Sequence, residues 1–185
     1  MAEPTPASGP IVCAGLTVSE EGAPSLASLR YFARDGEFAR VLGEATGLAL
    51  PEPLKVNARG DWILAWRSPT ETVCLAGADE RFAGLCARLA GAAGGCVVDL
   101  SGALEMLRLE GARVSDLLCR LGGTASVPLA GEARRSRLAD VPVFALCVRE
   151  GETLLLVDRA YAPHLLDWIR ETVLDFIAPG PAAGS

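Results

Sequence analysis

The tightest constraint on what this chain can fold into is a change of hydrophobic period at Gly111. Before it, "LEMLRLE" (104–110) places Leu107 and Leu109 on one face of an extended strand. After it, Val114, Leu117, Leu118 and Leu121 fall at i, i+3, i+4 and i+7, a continuous apolar stripe along a helix. Gly122 and Gly123 supply a left-handed stop. A strand that passes through one glycine into an amphipathic helix must bury both apolar faces, so the fold has to layer helices on sheet.

The flanking segments repeat that arrangement. "GEFARVLGEATG" sets Phe38, Val41, Leu42 and Ala45 at helical spacing, with Gly47 as the stop and Pro51 beyond. "GDWILAWRSPTETVCLAG" (60–77) reads as a hairpin around Ser68-Pro69-Thr70, with Trp62, Leu64 and Trp66 alternating onto one face. In the next helix Asp79 stands as a cap, and Phe82, Leu85, Cys86 and Leu89 form the stripe. Strands are predicted at 96–100, 104–110, 133–138, 141–149 and 152–158. The closing helix, from about Ala160 to Phe176, points Tyr161, Leu165, Trp168, Ile169 and Val173 inward, with Pro163 in its first turn. Residues 13–30 show no clear period.

Helices separate antiparallel pairs rather than single strands. The fold class is therefore α+β, antiparallel sheets with packed helices, not a doubly wound parallel fold. The repeated helix-and-hairpin unit suggests two halves, about 13–93 and 94–177, within one domain spanning 13–177. The ends, 1–12 and 178–185, are rich in Pro, Ala, Gly and Ser and read as disordered tails.

Composition narrows the chemistry. The formal net charge is −6, which disfavours phosphate-backbone contacts and hence nucleic acid. The one basic run, Arg134-Arg135-Ser136-Arg137, reads as a solvated surface or strand edge. The six cysteines include no Cys-x-x-Cys, and His164 is the one histidine, so no zinc set is apparent. The cysteines sit mostly in apolar runs and read as small buried hydrophobes. The N-terminus carries no secretory pattern, and no apolar run reaches the ~20 residues that cross a bilayer, so a reduced, cytoplasmic location without membrane contact is expected.

Candidate sites are few. Asp99 and Ser101 could be taken for a reactive pair, but no base lies nearby in sequence, and a turn is the simpler role. His164 lies near a helix start, where the cation is disfavoured. Trp62, Leu64 and Trp66 form a row that suits a core or a partner interface better than a stacked ligand. No catalytic, cofactor-binding or metal residue is assigned.

"VVDLSGALEMLRLEGARVSDLLCRLGG" (97–123) resembles the folate-binding fold of the glycine-cleavage aminomethyltransferase and its relatives, in which an Asp-x-Ser strand end leads to a strand, a glycine turn and a helix. Within that superfamily the Trp hairpin at 60–77 and "ADVPVFALCVREGETLLLVDRAYAPHLLDWIRE" (139–171) are similar to the gamma subunit of heterotetrameric sarcosine oxidase. The likeness covers about 55–177. It departs at Thr72-Val73, where that family commonly shows a second tryptophan. The Lys-Gly-Cys-Tyr-x-Gly motif of the folate-dependent iron–sulfur assembly proteins is absent.

The resemblance implies a non-catalytic gamma subunit that supports assembly with alpha, beta and delta subunits. It places FAD, FMN, NAD, zinc and tetrahydrofolate on those other chains. The complex would demethylate sarcosine oxidatively to glycine and transfer the one-carbon unit to tetrahydrofolate. A related N-methylglutamate dehydrogenase complex, a stand-alone folate-binding protein and a homodimeric module are the alternatives.

Overall fold

The computed structural model describes residues 9–22, 24–77 and 79–177. Their strands form two antiparallel sheets. In chain order the elements are β1 (Ile11–Cys13), β2 (Leu16–Gly22), β3 (Ser25–Tyr31), α1 (Glu37–Thr46), β4 (Val56–Arg59), β5 (Trp62–Ser68) and β6 (Glu71–Ala76). Then come α2 (Asp79–Ala90), β7 (Gly95–Asp99), β8 (Leu104–Glu110) and α3 (Val114–Gly122). After a short 3-10 turn at Thr124–Ser126 the chain ends with β9 (Glu132–Leu138), β10 (Val141–Arg149), β11 (Glu152–Asp158) and α4 (Ala162–Ile177).

The six-stranded sheet has the order β1-β2-β8-β11-β10-β9, and the five-stranded sheet β4-β5-β6-β3-β7. The two halves exchange strands. β1 and β2 leave the first half to pair with β8, while β7 crosses back to pair with β3. The folded units are therefore intertwined, and no cut in the sequence separates the sheets.

Alternation along each strand divides the apolar side chains into three buried layers. Leu107, Leu109, Leu155 and Val157 meet Leu117, Leu118, Leu165 and Ile169 between the six-stranded sheet and α3 and α4. Leu29, Trp62, Leu64 and Cys74 meet Phe38, Leu42, Phe82, Leu85 and Leu89 between the five-stranded sheet and α1 and α2. Leu26, Ala65, Val73 and Leu75 meet Ala133, Phe144, Leu146, Leu154 and Leu156 between the two sheets. The order of layers is helix, sheet, sheet, helix.

Two glycines are required by geometry. Gly47 ends α1 at φ 70° and its N–H donates to the Gly43 carbonyl at 2.8 Å. Gly111 sits at φ 124°, and a Cβ there would lie 2.2 Å from the Gly15 carbonyl oxygen. The period changes at Gly111 because β8, the β1–β2 turn and the start of α3 converge there, with Arg113 N–H donating to Gly15 O at 3.0 Å.

Several expectations need correction. Residues 13–30, which lack a period, contain β2 and β3. Leu26, Ala27, Ser28 and Leu29 of β3 are all buried, because the strand lies inside its sheet and is covered on both faces. β4 was not predicted either; it is an edge strand whose side chains are exposed or half-buried. The expected N-terminal tail at 1–12 is shortened by β1, which begins at Ile11; residues 1–8 and the tail at 178–185 lie outside the described residues. Tyr161 and Trp168 do not face inward but are 52% and 50% exposed. Asp79 is the first helical residue of α2, and its carboxylate accepts a hydrogen bond from the Ser25 hydroxyl.

Candidate functional site

The Asp99-Leu100-Ser101 corner is a backbone clasp. The Ser101 N–H donates to Asp99 Oδ1 at 2.8 Å, closing a local turn. Leu26 N–H donates to Ser101 Oγ at 3.0 Å, and Leu100 N–H donates to Leu26 O at 2.8 Å. These bonds hold the end of β7 against the start of β3. Among the described residues the hydroxyl's hydrogen bonds are to the Leu26 backbone, and none places a base against it.

His164 is exposed on the first turn of α4. It borders a cleft with Arg120, Leu121, Ala139, Asp140, Trp168 and Thr172. Arg120 also belongs to an α3–α4 junction at the C-terminal end of α4. Arg113 and Arg120 lie over the Phe176 ring with guanidinium carbons 4.2 and 4.9 Å from its centroid. Arg113 also donates to the Phe176 carbonyl at 3.2 Å. Arg120 pairs with Asp175 at 3.0 Å. Arg113 and Arg120 thus tie α3 to the far end of α4, about three turns beyond the histidine.

The aromatic row splits. Trp62 is 6% exposed and Leu64 fully buried, both beneath α1 and α2. A side chain already covered by two helices offers nothing to a partner, so the expected interface role is corrected for these two. Trp66 is half-buried and borders a cleft of about 310 Å³ at the edge where the two sheets approach one another.

No local sequence pattern marks this cleft. Leu54, Trp66, Arg67, Ala125, Ala133, Arg134, Arg135 and Phe144 line it. Main-chain bonds stitch the sheets together beside it. Val56 N–H donates to Gly131 O at 2.9 Å, and Ala133 N–H to Leu54 O at 2.8 Å. The pairing of β5 with β6 slips at Arg67, an extra residue that breaks strict alternation, so that consecutive residues Trp66 and Arg67 both border the opening. Glu132 accepts from Arg134 at 3.0 Å and from Leu129 N–H at 3.2 Å, with the Lys55 ammonium 3.6 Å away. The Arg134 hydrogen bond above all, then the Leu129 amide and both positive charges, hold the Glu132 carboxyl below its usual range. The run Arg134-Arg135 was visible in the sequence as basic. Its meeting with Trp66-Arg67, almost seventy residues earlier, was not.

The cysteines offer no nucleophile in the core. Burial pushes the Cys74 thiol up to about 12, and it raises those of Cys147 and Cys86 as well. Cys96 is exposed, against the expectation of burial, because β7 is an edge strand. Among the described residues no cluster of His, Cys, Asp and Glu is placed to hold a metal ion, and no helix is long and apolar enough to cross a membrane.

Two antiparallel sheets stacked face to face, a helix pair on each outer side and strands exchanged between halves define the folate-binding fold of aminomethyltransferase type. The chain belongs to the sarcosine oxidase gamma subunit family, whose sequence model matches residues 30–175. The fold is similar to a chain of the heterotetrameric sarcosine oxidase from Corynebacterium sp. U-96 in complex with pyrrole 2-carboxylate. The TM-score is 0.79 at 23% identity, over 90% of this chain and 88% of that one. It is also similar to glycine cleavage system aminomethyltransferase T from Bartonella henselae, with a TM-score of 0.67 at 15% identity, over 84% of this chain. That match spans 45% of the aminomethyltransferase, so this chain corresponds to less than half of it. No curated protein sequence matches the chain.

Proposed function

We propose that this chain is a non-catalytic gamma subunit of a heterotetrameric sarcosine oxidase, which it serves by shape and docking. The observation that carries the reading is the use made of Asp99 and Ser101. In a fold shared with an enzyme, the polar corner that looks most reactive closes a turn and clasps Leu26. Membership of the gamma subunit family supports the partner set. Alpha, beta and delta subunits would complete the complex, and FAD, FMN, NAD, zinc and tetrahydrofolate would be held there. The assembled enzyme would demethylate sarcosine oxidatively to glycine and pass the one-carbon unit to tetrahydrofolate, in the cytoplasm.

The test is reconstitution. The chain co-expressed with the flavoprotein, NAD-binding and small zinc-binding subunits should co-purify as one complex that turns over sarcosine. In that complex Asp99→Ala, Ser101→Ala and His164→Ala should each leave kcat within about threefold, roughly 0.7 kcal/mol of barrier. A hundredfold loss of kcat in an intact complex would show that one of these groups takes part in the chemistry. Absence of any co-purifying partner would remove the subunit reading.

A further inference from the structure

We propose that the cleft between the sheets, bordered by Arg67, Arg134 and Arg135, is a docking site for an acidic segment of a partner subunit. The segment inserts one carboxylate beside an apolar side chain. This rests on the subunit reading above and adds the surface through which it operates.

Ala133 belongs to the layer between the sheets, and Arg135, two residues along β9, shares its face. Phe144 lies opposite Arg135 in the β9–β10 register and belongs to the same layer. The bulge on β5 brings Arg67 to the opening from the other sheet. Two sheets therefore direct guanidinium groups to one apolar-floored opening, where like charges repel.

Internal carboxylates only partly offset this. Arg67 pairs with Glu71 at 3.4 Å, but Glu71 also lies 4.0 Å from Arg30 and accepts from the Ser28 hydroxyl. Arg134 shares Glu132 with Lys55. Arg135 has no ion pair among the described residues. Arg30, Lys55, Arg67, Arg134 and Arg135 are thus set against Glu71 and Glu132, an excess of three positive charges on a chain whose net charge is −6. A carboxylate between Arg67 and Arg135 would offset part of that excess, and guanidinium groups bind it in forked geometry.

The surroundings favour a polypeptide over a free small molecule. At about 310 Å³ the cleft is at the lower end for ligand pockets. Its apolar rim continues outward. Leu54 is 45% exposed, and Leu129, joined to Glu132 through both its N–H and its carbonyl, is 64% exposed. A small ligand in the cleft would leave Leu129 in water, whereas a segment crossing it would cover both leucines. Tryptophan and arginine at the centre with apolar contact around them is the composition of an interface hot spot.

The experiment uses the full chain and the flavoprotein and NAD-binding subunits of the same organism. Arg135→Glu and Arg67→Glu are compared with wild type and with Arg40→Glu, a control on the exposed face of α1. Thermal melts of the isolated chains verify folding, and affinity for the partner subunits is measured at low and high salt. Arg135→Glu should weaken assembly at least about tenfold, with the melting temperature unchanged and the salt dependence reduced, while Arg40→Glu binds like wild type. Arg67→Glu should do the same. If it fails to fold because the bulge is lost, Arg135→Glu alone decides. Wild-type assembly that both cleft variants reproduce would overturn the docking site and leave the subunit reading standing. No assembly by wild type would overturn the subunit reading and this proposal with it. Benzoate binding to the isolated chain that Arg135→Glu abolishes, with assembly unaffected, would make the cleft a small-molecule site and overturn docking.

Discussion

The row Trp62, Leu64, Trp66 on β5 and the aromatic residues Tyr161 and Trp168 on α4 differ in how far they are covered. The β5 row suits either a core or a partner interface by its sequence, and Trp62 and Leu64 are core. The α4 aromatics look like core, yet each is about half exposed. The difference lies in what covers them. β5 is roofed by α1 and α2, whose Phe38, Leu42, Phe82 and Leu85 come from segments on either side of the hairpin. α4 is wide enough in apolar character to bury Leu165, Leu166, Ile169 and Val173 against the six-stranded sheet and still have aromatics left over. Alternation and helical periodicity report that a side chain is apolar on a given face. They do not report whether another layer lies over that face.

The sharpest way to break this comparison is to truncate one member of each set. Leu64→Ala should lower stability by about 2–5 kcal/mol, since it removes a fully buried side chain and leaves a cavity beneath α1 and α2. Denaturant unfolding measures it, and a change under about 1 kcal/mol would mean that the roof over β5 is loose.

Cys74, which pairs in register with Leu64, probes the same layer by its chemistry. With its thiol pushed up to about 12, its thiolate fraction near neutral pH is roughly a thousandfold below that of an ordinary thiol. An aromatic disulfide reagent should therefore label exposed Cys96 quickly and Cys74 only after unfolding. The stability consequence has a definite sign. The folded-state value lies above the unfolded one of about 9, so the contribution is intact below about pH 9 and is lost as pH rises toward about 12. Cys74→Ala should flatten that alkaline slope in unfolding free energy. An unchanged slope would show that the site admits water.

Fluorescence sharpens the contrast between the tryptophans themselves. Acrylamide should quench Trp168 readily and Trp62 weakly, so Trp168→Phe should remove most of the accessible component. If instead Trp62→Phe removed it, the assignment of inside and outside would be reversed.

The smallest effect is expected from Trp168→Ala, which should change the stability of the isolated chain by no more than about 0.5 kcal/mol. A loss approaching that of Leu64→Ala would mean that half of this side chain carries as much packing as a buried leucine.

The sequence by itself determined the elements whose period is unbroken and whose stops are local. The stripe Val114, Leu117, Leu118 and Leu121 became α3, Gly47 ended α1, and Gly111 marked the passage from strand to helix. A helix stripe or a half-buried strand carries its own signal, because the core lies on one side of it. What only the tertiary structure decided is everything that depends on a second layer. β3 has no period because both its faces are covered. β1 and β2 join a sheet whose other strands begin at Leu104. Trp62 is inside because α1 and α2 close over it. The arginine cleft exists because a bulge at Arg67 meets the edge strand β9. Residues far apart in the chain become neighbours only when the sheets stack, so no local pattern contains them.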